Sequence, residues 1–326
     1  MISIIVPIFN GAVFIKSAYL LLLEQNVEDF EIIFVDNNST DDSVKIIENI
    51  VNEDWRVSLF FEKIQGAASA RNKGLEKAKG EFIYFFDVDD QLFDSAINSL
   101  YGVLIENPEI DSVHGNMIKS TQRLEEINID STETGKITIP EPYQFGIKWM
   151  HYGKLPGTPS FLHRKRVFEK IGKFNSNLSL GEDAAFHVKL GMECQVAHLD
   201  KNIFLYYRHA KSTVSKQNEK QIKEFAYWEP LIHEHVPYLL SHKVPIAFKK
   251  MVLVRVYSYT AKMLASTKTY SKRQELLDKL LEDIRPLKIP LVLKPFISLI
   301  SASGSLNLYK VYYYYVLNHY MKHHVK

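Results

Sequence analysis

Asp87-Val88-Asp89-Asp90 puts three carboxylates into four consecutive residues. Like charges this close repel unless a cation or hydrogen-bond donors offset them. Oxygen-only ligands, with water and phosphate completing the shell, favour Mg²⁺ or Mn²⁺. Such a metal would bridge a diphosphate and stabilise the charge that develops as it leaves. The other reading is a helix N-cap cluster ahead of Asp94. Gly181-Glu182-Asp183 is a second acidic point. A carboxylate there could serve as a general base toward a hydroxyl, with burial tuning its pKa. Asp183 is equally suited to cap a helix over 184–190, and Glu182 could take the base role or orient a second substrate. Tyr206-Tyr207-Arg208-His209 closes a short apolar run. Arg208 could pair with phosphate, or the four residues could simply be an exposed strand end. His151, His163 and His187 lack partners at metal-ligand spacing and read as structural or surface residues.

The elements that must position these groups follow from the apolar runs. Strands are predicted over 2–8, 30–35, 57–61, 81–86 and 110–114. Helices are predicted over 13–23, after Thr40-Asp41-Asp42, over 69–78, and from an Asp94 cap to Glu106. This alternation implies an α/β fold, a mostly parallel sheet with helices on both faces. Ligands of such sheets sit at the carboxyl ends of the strands. Ile8-Phe9-Asn10, Asp36-Asn37-Asn38 and Asp87–Asp90 all fall there. Each alone reads as a turn; three at one rim read as a ligand crevice. No G-x-G-x-x-G follows the first strand and no G-x-x-x-x-G-K-[ST] occurs, so dinucleotide enzymes and P-loop NTPases lose their main support.

Four segments then combine: Val6-Pro7-Ile8-Phe9-Asn10, Val35-Asp36-Asn37-Asn38-Ser39-Thr40-Asp41, Ala70-Arg71-Asn72-Lys73-Gly74 and Phe86-Asp87-Val88-Asp89-Asp90. In this order and spacing, the first 120 residues resemble family 2 of the inverting glycosyltransferases, with the Rossmann-like GT-A fold. The likeness continues more weakly to about residue 215, through Phe161–Arg164, Ile171–Phe174, Gly181–Asp183 and Tyr207–His209. The resemblance implies that Pro7, Ile8 and Asn10 line a nucleotide pocket and that Asp36 sits against the base or ribose. Arg71 would approach the base or the diphosphate, and Asp87 and Val88 would lie along the ribose. Asp89 would ligate Mn²⁺ or Mg²⁺, His209 would reach the metal or diphosphate, and Arg208 would meet phosphate. Asp183 would be the base. Asn37 stands where the family usually carries a second acidic residue that contacts uracil; its amide can both donate and accept.

The implied activity is metal-dependent, inverting transfer of a hexose or N-acetylhexosamine from a UDP-sugar to a saccharide hydroxyl. The implied setting is surface polysaccharide or lipopolysaccharide synthesis, with the acceptor free or lipid-linked. The implied organisation is a GT-A catalytic domain over 1–215, with 1–115 binding nucleotide-sugar and 116–215 on the acceptor side. A helical, basic region over 216–326 follows it. Within the acceptor side, 116–140 reads as a variable surface excursion. A sugar nucleotidyltransferase is an alternative, but it would show a glycine- and lysine-rich loop after the first strand. A non-catalytic partner of another transferase, binding nucleotide sugar or membrane, is a further alternative that the intact aspartates disfavour.

Composition sets the remaining bounds. In 326 residues, 46% hydrophobic, there is a single cysteine, Cys194, so no intrachain disulfide forms, which suits a reducing cytoplasm. The first residues have no basic leader, and the longest apolar stretch, 287–300, is broken by Lys288, Pro290, Lys294 and Pro295. Residues 1–240 carry 25 Lys+Arg against 34 Asp+Glu, whereas 241–326 carry 15 against 4. Helices are predicted over 225–240, 247–264, 271–284 and 306–321, the last crowded with tyrosines. Two readings of 241–326 stand. One is a peripheral surface on the cytoplasmic face of the inner membrane, with tyrosines at headgroup level and lysines on phosphates. The other is a bundle that packs on the protein itself or on a second copy. Nucleic acid is excluded as a partner by the dispersed basic residues and the acidic body.

Overall fold

The computed structural model describes residues 1–129, 132–151, 155–208, 225 and 227–326. The chain divides into two compact units, Met1–Gln221 and Ile222–Lys326.

In the first unit the β-branched run at the start forms β1 (Ile2–Ile8), buried along nearly its whole length. The chain continues through α1 (Ala12–Leu23), β2 (Phe30–Asp36), α2 (Ser43–Glu53), β3 (Val57–Phe61), α3 (Ala67–Lys77) and β4 (Phe82–Phe85). Strands this apolar must be covered on both faces, which the intervening helices do. β1 pairs in parallel with β2 on one side and β4 on the other. The chain thus winds outward to β3 and returns across β1 to β4, making a switch point at the carboxyl ends of β1 and β4. The register is flush. Ile8 lies opposite Asp36, and Ile5 opposite Phe85, so the loops after β1, β2 and β4 leave at one rim.

Beyond β4 the sheet is mixed. It has nine strands in the order β3-β2-β1-β4-β8-β6-β9-β5, with β7 on β9. The later elements are β5 (Gln91–Leu92), α4 (Ala96–Glu106), β6 (Ser112–Ser120), β7 (Ile137–Thr138), α5 (Gln144–Trp149), β8 (Phe161–Arg164), α6 (Arg166–Ile171), α7 (Glu182–Glu193) and β9 (Val196–Tyr207). β8 runs antiparallel between β4 and β6, whereas β6 and β9 are parallel. The carboxyl ends of β6 and β9 therefore face the same rim as that of β4. Two expectations change here. The first part of the supposed 116–140 excursion is strand, because Met117 and Ile118 pair with Phe204 and Leu205. Asp94 is not the cap of α4; left-handed Ser95 precedes the helix instead.

The second unit is helical: 228–241, Ile246–Ser266, Tyr270–Asp283, Lys294–Ser303 and 306–324. Pro295 does not break the fourth helix but sits in its first turn, where the missing N–H costs nothing. Buried Arg273 donates to the carbonyls of Thr267, Lys268, Ser301 and Ala302, closing the ends of two helices with one cation. Tyr312 is buried against Tyr257, its hydroxyl donating to the Tyr257 carbonyl, while Tyr314 and Tyr315 are exposed. Among the described residues, no helix is long and apolar enough to cross a membrane.

Candidate active site

The rim is built first by backbone ties between loops. The Asn10 amide donates to Ser39 Oγ at 3.0 Å, and Asn10 Oδ1 accepts from the Thr40 amide at 2.8 Å. Gly11 donates to Ser43 Oγ and Ala12 to Asp41 Oδ2. These bonds lock the loop after β1 to the loop after β2, with Asn10 Oδ1 as one of the ties. A Cβ on Gly11 would stand 3.1 Å from Val88 Cγ1, which puts the aspartate turn directly beside the same loop. Ile8 is fully buried in the core, its carbonyl taken by the Asn37 amide, so its side chain lines no pocket. Pro7, one residue earlier, is half-buried.

Asp36 and Asn37 divide sharply. Asn37 donates from Nδ2 to the carbonyls of Glu62 and Ile64, each at 2.8 Å, and accepts the Gly66 N–H at 2.7 Å. Both amide hydrogens and the oxygen are committed, so Asn37 anchors the 62–66 loop. Asp36 accepts one N–H, from Ser39, while its Oδ1 is buried without a hydrogen-bond partner. A buried carboxylate oxygen left unpaired is costly. A ribose or base donor at this rim would satisfy it.

The aspartate run is a tight turn closed by the Asp90 N–H on the Asp87 carbonyl. Asp87, Val88 and Asp89 are half-buried and Asp90 is buried. Asp90 Oδ1 accepts the Tyr207 N–H at 3.1 Å, tying the turn to the end of β9. Burial, then the charges of Asp87 and Asp89, raise Asp90 well above the usual carboxylate range, against the pull of the Tyr207 N–H. Tyr206 feels the same cluster: burial, then Asp90 and Asp89, push its phenol up to about 12. Among the described residues no three His, Cys, Asp or Glu side chains form a ready cage for a metal. Mg²⁺ and Mn²⁺ need none here, since one or two carboxylates with water and substrate phosphates suffice. The all-oxygen set at Asp87 and Asp89 fits that chemistry.

Arg71 has partners that its place in the sequence does not reveal. It lies on α3, whose Gly74 lets the helix press on β1, since a Cβ there would collide with Ile5. Asn72 exchanges hydrogen bonds with the backbone of Phe174, and the Phe174 ring lies 5.5 Å from the Arg71 guanidinium. The Arg71 side chain is only 6% exposed, pairing with Asp87 Oδ1 at 2.9 Å and with Glu182 Oε1 at 3.1 Å. Burial works against its charge, but Asp87 and Glu182 hold its pKa above the ordinary guanidinium value. Arg71 therefore couples the aspartate turn to the Glu182-Asp183 loop, and two of its faces are spent on protein carboxylates.

Left-handed Gly181 opens α7 and places Asp183 in the first turn, not at the cap. Its Oδ1 accepts the Ala184 N–H at 2.6 Å. Burial, then Glu182, push the Asp183 carboxyl up to about 6, while Arg71 and the Ala184 N–H pull the other way. A carboxylate poised there is suited to accept a proton near neutral pH. Arg208 is exposed, its N–H on the Ser120 carbonyl and its guanidinium 5.9 Å from the Tyr206 ring. His209 lies outside the described residues. His163 and His187 are fully buried, as a structural role requires. Lys119 was missed in the sequence because only the β6–β9 pairing brings it to this rim.

The parallel half-sheet carries a carboxylate turn at its switch point, and Arg71 ties that turn to the start of α7, where Asp183 stands half-buried. The glycosyl transferase family 2 model matches residues 3–171, and the chain belongs to that family. It is 40% identical over 117 residues to a Haemophilus influenzae protein described as an uncharacterized glycosyltransferase, covering 36% of this chain and 46% of that one. It is 38% identical over 101 residues to the Campylobacter jejuni GalNAc(5)-diNAcBac-PP-undecaprenol beta-1,3-glucosyltransferase, covering 30% of this chain and 33% of that one. The chain thus spans less than half the length of these two relatives. The S. aureus TarS 1–349 structure in complex with UDP-GlcNAc has a TM-score of 0.67 at 18% identity, covering 96% of this chain and 90% of that one, a likeness of fold.

Proposed function

We propose that the protein is a metal-dependent, inverting glycosyltransferase that moves a hexose or N-acetylhexosamine from a UDP-sugar to a saccharide hydroxyl. The observation that carries this reading is the Asp87–Arg71–Glu182 bridge, which sets the half-buried carboxylate of Asp183 at a fixed place relative to the aspartate turn. Asp36 takes the ribose or base, and Asp89, with Asp87 beside it, would hold Mn²⁺ or Mg²⁺. The bound metal would neutralise the leaving diphosphate. Asp183 takes the proton of the acceptor hydroxyl as that oxygen attacks the anomeric carbon. The bond to the diphosphate breaks with its electron pair going to the diphosphate oxygen, and attack from the opposite face inverts the centre. The acceptor is a growing surface glycan carried on lipid, in keeping with the undecaprenol-linked acceptor in the Campylobacter relative's name. Catalysis then takes place at the cytoplasmic face of the inner membrane.

Release of UDP from a panel of UDP-sugars, measured with Mn²⁺ or Mg²⁺, tests the reading. Asp89→Ala should lose metal-dependent binding. Asp183→Asn should keep UDP binding and lose about 10²–10⁴-fold in kcat. A protein that neither binds nor turns over any UDP-sugar with either metal would end the proposal.

A further inference from the structure

Lys119 stands in a segment that reads from sequence as a surface loop, yet it is the penultimate residue of β6 and lies opposite Tyr206 of β9. Side chains alternate along a strand, so Lys119, Tyr206 and Arg208 share one face at this end of the sheet. The Arg208 guanidinium over the Tyr206 ring agrees with that placement. The Asp90–Tyr207 bond fixes the distance between turn and strand end. Lys119 and Arg208 are close enough that, after burial, Arg208 lowers the Lys119 pKa. Among the described residues neither cation is within ion-pair distance of a carboxylate. Among the described residues, two neighbouring cations that pair directly with no carboxylate, held at the carboxyl rim of the sheet, make a site for an anion.

We propose that Lys119, together with Arg208, binds a phosphate group at the β6–β9 end of the crevice. This rests on the nucleotide-sugar reading of the rim and adds a binding residue to it. Phosphate can come from two sources here, the diphosphate of the donor or a phosphate on the acceptor, and the two share one chemistry: doubly charged oxygens that lysine meets as a point charge and arginine as a fork.

Calorimetric titration of UDP, uridine and inorganic pyrophosphate in the presence of Mg²⁺, on wild type, Lys119→Gln, Lys119→Arg and the Lys119→Gln/Arg208→Gln double variant, tests it. Lys119→Gln should weaken a phosphate-bearing ligand about tenfold and the double variant about a hundredfold, with Lys119→Arg near wild type and uridine unchanged throughout. Loss toward UDP assigns the pair to the donor diphosphate. Loss toward pyrophosphate with UDP unchanged assigns it to the acceptor. Unchanged affinity for both, or an equal loss for uridine, overturns the proposal while leaving the transferase reading intact. Wild type that binds none of the three ligands overturns both.

Discussion

Arg71 holds two carboxylates from distant parts of the chain on one guanidinium, and this sets the electrostatics of the proposed base. Asp183 is raised to about 6 by burial and by Glu182, with Arg71 opposing. A carboxylate acts as a base only when ionised, so transfer activity should fall as pH drops through about 6 and hold above it. Glu182→Gln removes the like charge and leaves the Arg71 charge less offset. Both changes favour ionised Asp183, so the acid limb of kcat/KM should move to lower pH. A limb that stays in place, or moves up, would show that Asp183 is not the group being titrated. The same residue scale shows what sequence leaves out about Arg71 and Asn37. Their types and spacing were legible, but Asn37 is consumed by the 62–66 backbone and Arg71 by Glu182, a partner 111 residues away.

At the scale of elements, β6, β8 and α7 meet in a layer of buried histidines. His187 stacks on Phe161 with centroids 4.2 Å apart, and both its ring nitrogens lack hydrogen-bond partners. His163 stacks on the same Phe161, and His114 lies 5.1 Å from it. Burial lowers His114 and His163 to about 3 and pushes His187 well below its ordinary value. The folded pKa values lie below the unfolded value, so the unfolded chain binds more protons in acid. Stability is therefore complete above about pH 6.5 and declines as pH falls toward 3, each histidine costing about 1.4 kcal/mol per pH unit. His187→Phe keeps the stacked shape and removes one titrating group. In denaturant titrations it should lose about 2 kcal/mol less than wild type between pH 6.5 and 5. Equal losses in the two proteins would place the acid sensitivity elsewhere.

At the scale of the whole chain, charge and apolar exposure separate along the sequence. After Asp283 there is no Asp or Glu, while Arg285, Lys288, Lys294, Lys310, Lys322 and Lys326 are all exposed. Leu291, Val292, Leu299, Tyr314 and Tyr315 are exposed in the same stretch. Anionic lipid is complementary to such a surface, whereas a second copy would bring like charges together. The protein should sediment with phosphatidylglycerol vesicles at low salt, far less at high salt, and little with pure phosphatidylcholine. Lys310→Glu/Lys322→Glu should reduce the binding, with the circular dichroism unchanged. Binding indifferent to headgroup, salt and these substitutions would remove the membrane from the proposal.

The sequence determined the strand–helix alternation of the first half, the rim at which Asp36 and Asp87 emerge, and the helical, basic end. Each of these follows from local periodicity, local turn chemistry or a simple count of charges. Tertiary structure alone decided the antiparallel insertion of β8, the extension of β6 that delivers Lys119, and the Arg71 bridge between Asp87 and Glu182. These depend on pairings between residues far apart in the chain. No local pattern encodes which strand neighbours which, or which carboxylate a buried guanidinium will find.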